Sequence, residues 1–66
     1  MYVKIAINIP TESHFTYSVP QALSGDAAIG KRALVPFGAR KLTGYIIGFL
    51  SEPDVDDIRD ILDILD

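Results

Sequence analysis

The chain has no cysteine and no tryptophan, and only one histidine and one methionine. Without cysteine, neither a disulfide framework nor a thiolate zinc site can staple it. With His14 as the single histidine, a metal centre would need several carboxylates gathered beside it; the residue reads instead as an exposed loop histidine. No uninterrupted apolar run approaches the ~20 residues of a membrane helix. The opening Met1-Tyr2-Val3-Lys4 alternates and lacks the long apolar region of a signal peptide. There is no internal repeat and no low-complexity linker. Hydrophobic residues make up 48% and charged residues 23%, a balance that excludes compositional disorder. These absences describe a soluble, intracellular domain, or a piece of one. At 66 residues it buries only about 60% of its unfolded surface, so its stability margin is thin.

What charge there is divides sharply along the chain. Residues 31–41 hold four of the six basic residues (Lys31, Arg32, Arg40 and Lys41) and no acid, whereas residues 52–66 hold Glu52 and six aspartates against Arg59 alone. The net charge of −3 therefore belongs to the tail. An acidic balance argues against a broad nucleic-acid footprint but leaves room for a small basic pocket.

The best-defined stretch runs from Ile29 to Phe49. Two apolar runs, Ala33 to Phe37 and Gly44 to Leu50, flank Gly38-Ala39-Arg40-Lys41, which predicts a β-hairpin with a basic tip. Gly38 follows Pro36-Phe37, where a Cβ would hinder the turn. Upstream, Val3, Ile5, Ile7 and Ile9 alternate with Tyr2, Lys4, Ala6 and Asn8, a strand with one buried face that Pro10 ends. Thr11 to His14 form a polar loop. Phe15-Thr16-Tyr17-Ser18-Val19 is a second strand, with Phe15, Tyr17 and Val19 on one face and Thr16 and Ser18 on the other. Gln21 to Leu23 suit a single turn, and Ser24-Gly25-Asp26 a loop. In the tail, Ile58, Ile61, Leu62 and Leu65 fall at helical spacing, and Asp54, Asp56 and Asp57 suit a helix N-terminus. The run Ile61 to Leu65 is also short and β-branched enough for a strand; local pattern favours the helix. Four to five short strands with little helix predict a mainly β domain, a small barrel-like or rolled antiparallel sheet.

Residues 25–31, Gly-Asp-Ala-Ala-Ile-Gly-Lys, match the start of a phosphate-binding loop, GxxxxGK. That loop requires Ser or Thr next, and a helix after it; here Arg32 follows, then the strand-like Ala33-Leu34-Val35-Pro36. Gly30 reads as the turn that aims the strand. The tail aspartates lack the Asp-x-Asp-x-Asp-Gly spacing of a calcium loop, and read as a solvated acidic face. No nucleophile–base–acid arrangement has a defensible geometry. Phe15, Tyr17 and Phe37 stand beside polar, flexible or basic positions. Such aromatics either fill the core of a small domain or stack a base while cations hold phosphate.

Taken in order, Phe15-Thr16-Tyr17-Ser18-Val19-Pro20, Ile29-Gly30-Lys31-Arg32, Val35-Pro36-Phe37-Gly38-Ala39-Arg40-Lys41 and Thr43-Gly44-Tyr45-Ile46-Ile47-Gly48 resemble the N-terminal domain of the primosomal protein N′ family, the PriA replication-restart helicases. The likeness covers nearly all of the chain, and the single domain it implies is 1–66. It implies a DNA-binding module that is not itself an enzyme, a fragment of a much longer ATP-dependent helicase. Its role would be to take the 3′ end of the nascent leading strand at a stalled or branched fork. The resemblance places Phe15, Thr16, Gly38 and Arg59 in the end-binding pocket: Phe15 as wall or stacking surface, Gly38 for close backbone approach. Lys31, Arg32, Arg40 and Lys41 would make phosphate contacts. Two positions depart from the family pattern. The residue after the Phe is commonly acidic and is here Thr16, and the tail cation, commonly Lys, is here Arg59. The resemblance also implies an extended tail, a strand around Ile58 to Ile64 in place of the helix. It implies no metal or cofactor in this segment, ATP, magnesium and zinc belonging to the full-length family protein. The implied partners are forked DNA, the parent's other domains and primosome proteins, in the bacterial cytoplasm and without a membrane. The competing reading is a protein-interaction or structural β-module that pairs through an exposed strand edge.

Overall fold

A computed structural model describes residues 1–10 and 14–66. Alternation dictates the first strand, β1, Tyr2–Ile7, in which Val3, Ile5 and Ile7 are buried while Tyr2, Lys4 and Ala6 are half-buried. It stops two residues short of the expected Ile9, which is half-buried and packs against the core. The polar loop expected from Thr11 falls, for residues 11–13, outside the described residues. His14, expected in that loop, is exposed but opens strand β2, His14–Ser18. Both faces of β2 turn out covered. Tyr17 and Val19 are buried on one face, and Thr16 is buried on the other. A 3₁₀ segment, Gln21–Asp26, replaces the single turn and loop. Gly30 then turns the chain at φ +93°, and the next strand begins at once, so no helix follows the GxxxxGK match.

The predicted hairpin is formed by β3, Arg32–Phe37, and β4, Arg40–Leu50. Its turn is the pair Gly38-Ala39, not the four residues expected. Gly38 has φ +60° and, among the described residues, none other than glycine has positive φ, which fits a type II′ turn and its tight two-residue connection. Arg40, Lys41 and Thr43 were hidden from an apolar-run criterion because they are exposed; they nonetheless pair with Phe37, Pro36 and Leu34. Proline is tolerated inside β3 for a geometric reason. The carbonyls of Arg32 and Leu34 accept from Leu65 and Leu62 of the tail, so by two-residue alternation the nitrogen of Pro36 points to that same side, beyond the last tail bond. No rung toward β4 is lost.

The five strands form one antiparallel sheet of order β2-β1-β4-β3-β5, where β5 is Asp63–Ile64. Its ladder is not closed, so it is a rolled sheet more than a barrel. The roll brings β2 and β3, which share no ladder, face to face. The Tyr17 hydroxyl donates to the Pro36 carbonyl at 2.8 Å, and the Phe15 and Phe37 rings meet edge to face with centroids 5.1 Å apart. Inside the roll lie Val3, Ile5, Ala33, Val35 and Ile46, all with no exposure, and Ile61.

The tail is extended, and the local helical pattern is overturned. The Ser18 N–H donates to Arg59 and the Ser18 carbonyl accepts from Ile61, whereas Leu62 and Leu65 donate to Leu34 and Arg32. The tail thus binds both rims of the sheet, and backbone groups engaged at every second or third residue cannot close helical turns. The apolar residues at helical spacing scatter accordingly: Ile61 is buried, but Leu62 and Leu65 are exposed. The strand proper is shorter than the implied Ile58 to Ile64 and is confined to Asp63–Ile64, with a parallel bridge between Ser18 and Asp60. Nor are the tail acids simply a solvated face. Asp60 accepts from the Ser18 hydroxyl. Asp66 receives the backbone N–H and the guanidinium of Arg32, the latter at 2.7 Å.

Three outcomes are expected. Ile61→Ala should cost about 2–5 kcal/mol in denaturant unfolding, whereas Leu62→Ala should stay within about 0.5 kcal/mol; the reverse order would fit a helical tail. A Cβ on Gly44 would lie 2.7 Å from the Ala6 carbonyl and would overlap Ile5, but one on Gly48 would meet nothing within 4 Å. Gly44→Ala should therefore destabilise by at least about 1–3 kcal/mol and Gly48→Ala should be silent in the same assay. Finally, the Arg32 side chain holds the Asp66 carboxyl below its usual range. Such a group contributes stability that is complete above its unfolded pKa, about 3.9, and is lost as pH falls through the lower folded value. Thermal melts on the acid side should thus depend less steeply on pH in Asp66→Asn than in wild type.

Candidate nucleic-acid interface

Where the roll brings β2 against β3, a cleft of about 270 Å³ opens, close to the lower end of small-ligand sites, about 300 Å³. Its apolar side is the Phe15–Phe37 pair. Phe15 is on the sheet's edge strand and Phe37 is the last residue before the hairpin turn, so both rings are half-buried and reach the cleft while packing on the core. Tyr17 also lines the cleft, but it is 5% exposed and its hydroxyl is spent on Pro36. Burial raises its pKa, partly offset by the Arg59 charge. Of the three aromatics, Tyr17 is core and the two phenylalanines are the cleft's accessible surface.

Gly38 forms the rim. Its left-handed conformation aims the tight turn, and the space a Cβ would occupy is empty to 4 Å, so a ligand can approach the backbone closely. Arg59 reaches it from the tail, its Nη1 donating to the Gly38 carbonyl at 3.2 Å. A guanidinium carries five N–H donors; this bond uses one. The second tail contribution is Asp57, which lines the cleft together with Val55.

Thr16 and Lys4 line the remaining side. Between them, just outside the lining, stands Asp54. Its carboxylate accepts from the Thr16 hydroxyl at 2.6 Å and from the Lys4 ammonium at 2.5 Å. These two bonds, Lys4 first, hold the Asp54 carboxyl below its usual range. They also explain the burial of Thr16: the loop that carries Asp54 covers the outer face of β2.

The four pocket residues expected from sequence, Phe15, Thr16, Gly38 and Arg59, therefore meet in one cleft. The four basic residues expected at phosphates do not line it. Arg40 and Lys41 lie exposed just past the turn, Lys31 is half-buried at the far end of β3, and the Arg32 guanidinium is engaged by Asp66. Sequence reasoning missed Lys4, Pro36, Val55, Asp57 and His14 as cleft residues. Lys4 carried a signal, as the one charge in an otherwise uncharged alternating strand. Asp57 carried none, since nothing local separates it from its acidic neighbours.

Residues 4–66 match the family model described as the 3′DNA-binding domain (3′BD). The replication restart protein PriA of Haemophilus influenzae is 38% identical over 66 residues, covering 97% of this chain and 9% of that protein. The protein of the same name in Bacillus subtilis is 30% identical over 71 residues, 96% of this chain and 9% of that one. In Treponema pallidum the figures are 39% over 46 residues, 70% and 7%. The chain thus spans less than a tenth of the length of these relatives. With the match running from the first strand to the last residue, the chain belongs to the 3′DNA-binding domain family of the replication restart protein PriA.

Proposed function

We propose that the cleft receives the terminal nucleotide of a DNA 3′ end, and that it does so at stalled or branched forks as one domain of a much longer replication-restart helicase. The observation that carries the reading is the convergence of Phe15, Phe37, the open Gly38 backbone and Arg59 on one nucleotide-sized cleft. Stacking on an accessible aromatic contributes about 1–3 kcal/mol per base and does not depend on base identity, which suits a pocket that must accept any terminal nucleotide. The donors of Arg59 left over from Gly38 suit the oxygens of a phosphodiester. On the opposite side, the Thr16 hydroxyl donates to Asp54, so its oxygen is left to accept, and the Asp57 carboxylate that lines the cleft is an acceptor too. A free sugar hydroxyl can donate to either group. A terminal phosphate, with a charge of about −1.5 to −2, meets like charge at Asp57 instead.

Few phosphates are neutralised in this arrangement, so the affinity of the domain alone is modest and its salt dependence shallow. The rest comes from the parent's other domains through effective concentration. ATP hydrolysis, any bound metal and contacts with primosome proteins belong to that larger chain in this reading, and the site of action is the bacterial cytoplasm. Among the described residues no helix is long and apolar enough to cross a membrane.

The test is fluorescence anisotropy with matched forked oligonucleotides that end in a 3′-hydroxyl or a 3′-phosphate. Wild type should prefer the hydroxyl. Phe15→Ala should lose the about 1–3 kcal/mol of one stacked base and the preference with it. Arg59→Ala should weaken both substrates and lower the salt slope by about one charge. Equal binding to both ends by the wild type would sink the end-reading role, and no binding by a folded chain would favour the protein-interaction module.

A further inference from the structure

Thr16 is the one buried polar side chain among the described residues, and its hydroxyl is committed to a residue 38 positions along the chain, Asp54. Asp54 does not line the cleft, but both of its partners, Thr16 and Lys4, do. The residues that follow it, Val55, Asp57 and Arg59, supply one wall. That wall has no regular secondary structure; Val55 and Asp57 are exposed and Ile58 is only half-buried. Its far end is pinned by Arg59 on Gly38, by the Arg59 carbonyl on the Ser18 N–H and by Asp60 on the Ser18 hydroxyl. At its near end, the side-chain bonds of the described residues are those of Asp54 to Lys4 and Thr16.

We infer that Asp54 is a positioning residue for the DNA end. Its carboxylate, clamped between Lys4 and Thr16, fixes the near end of the 55–59 span and so sets the width of the cleft and the place of Asp57 and Arg59. The inference rests on the cleft's being the DNA-end pocket. It makes a prediction opposite to that of simple surface electrostatics. An acid near a DNA site repels phosphate, and here it also engages a lysine; removing it should tighten binding if charge were all that mattered. A wall-fixing role requires the loss of Asp54 to weaken binding in spite of both effects. It further requires Thr16 and Asp54 to act as one unit, whose separate removals are not additive.

The experiment is a double-mutant cycle on the 66-residue chain, read by anisotropy with an oligonucleotide ending in a 3′-hydroxyl. Asp54→Ala and Thr16→Val should each weaken binding about three- to tenfold, and the double variant should be no weaker than the worse single one. Thr16→Ser keeps the donor and should bind as wild type. The salt slope should not change, since Asp54 touches no phosphate in this scheme. Hydrogen exchange on the DNA-free proteins supplies the second readout: amides 55–59 should exchange faster in Asp54→Ala while those of β1 and β4 keep their protection. Equal or tighter binding by Asp54→Ala, additive losses, or unchanged exchange at 55–59 would each overturn the inference. Phe15→Ala separates the two levels. If it weakens binding and Asp54→Ala does not, only the role of Asp54 falls. If wild type and Phe15→Ala bind alike, the pocket reading falls, and the exchange data still decide whether Asp54 fixes the wall. Should Thr16→Val not fold, Thr16→Ser and Asp54→Ala carry the comparison.

Discussion

The contact between β2 and β3 governs this domain. Two strands separate them in the sheet order, and they meet because the sheet rolls until the Tyr17 hydroxyl finds the Pro36 carbonyl and Phe15 finds Phe37. A flat five-strand sheet of this size would leave one apolar face in water. Rolling encloses Val3, Ile5, Ala33, Val35 and Ile46 without a second layer. The same closure leaves a seam, and the seam is the cleft. Core and site are therefore products of a single geometric event, and the aromatic pair belongs to both. This is how so short a chain maintains a core and still leaves aromatic surface accessible to a ligand.

The electrostatics of the cleft follow from what crosses the seam. The basic side chains of 31–41 do not line it; the Lys and Arg residues that do are Lys4 from β1 and Arg59 from the tail. Each is met by an acceptor from a distant part of the chain: Lys4 by Asp54, Arg59 by the Gly38 carbonyl. The site is thus locally mixed in charge inside an acidic chain. That combination suits recognition of one terminal nucleotide and is poorly suited to gripping a long backbone, which needs a row of uncompensated cations.

Much of this was legible in the order of residues, and what was not has identifiable causes. The β1 face was plain from Val3, Ile5 and Ile7, because period-2 alternation survives wherever one face of a strand is buried. The hairpin was plain from Gly38 between two apolar runs, although its length was not: Arg40, Lys41 and Thr43 pair on an exposed face and leave no apolar trace. The tail was misleading on local grounds. Ile58, Ile61, Leu62 and Leu65 fit a helix, but strand-like bonds to Ser18 and Leu34 outweigh a pattern worth a fraction of a kcal/mol per residue. Only the family resemblance pointed to the extended form. Phe15, Thr16, Gly38 and Arg59 were likewise placed together by resemblance, since no spacing rule connects residues 15 and 59. The bonds of Asp54 and Asp66 were invisible for a related reason: partners separated by 34 to 50 residues are chosen by topology.

The tail's double attachment has a consequence for the order of assembly. The β3–β4 hairpin and β1 can find one another early, because a two-residue turn joins the first pair. The cleft cannot form so soon. One of its walls comes from residues 55–59, and the bond that seats that wall on β2 spans 38 residues. Long-range closures of this kind dominate the time a small β domain needs to fold. During synthesis the aromatic seam therefore stays uncovered until the last acidic stretch has left the ribosome. The cleft is then among the last features of the domain to form, together with β5 and the Asp66 bonds to Arg32.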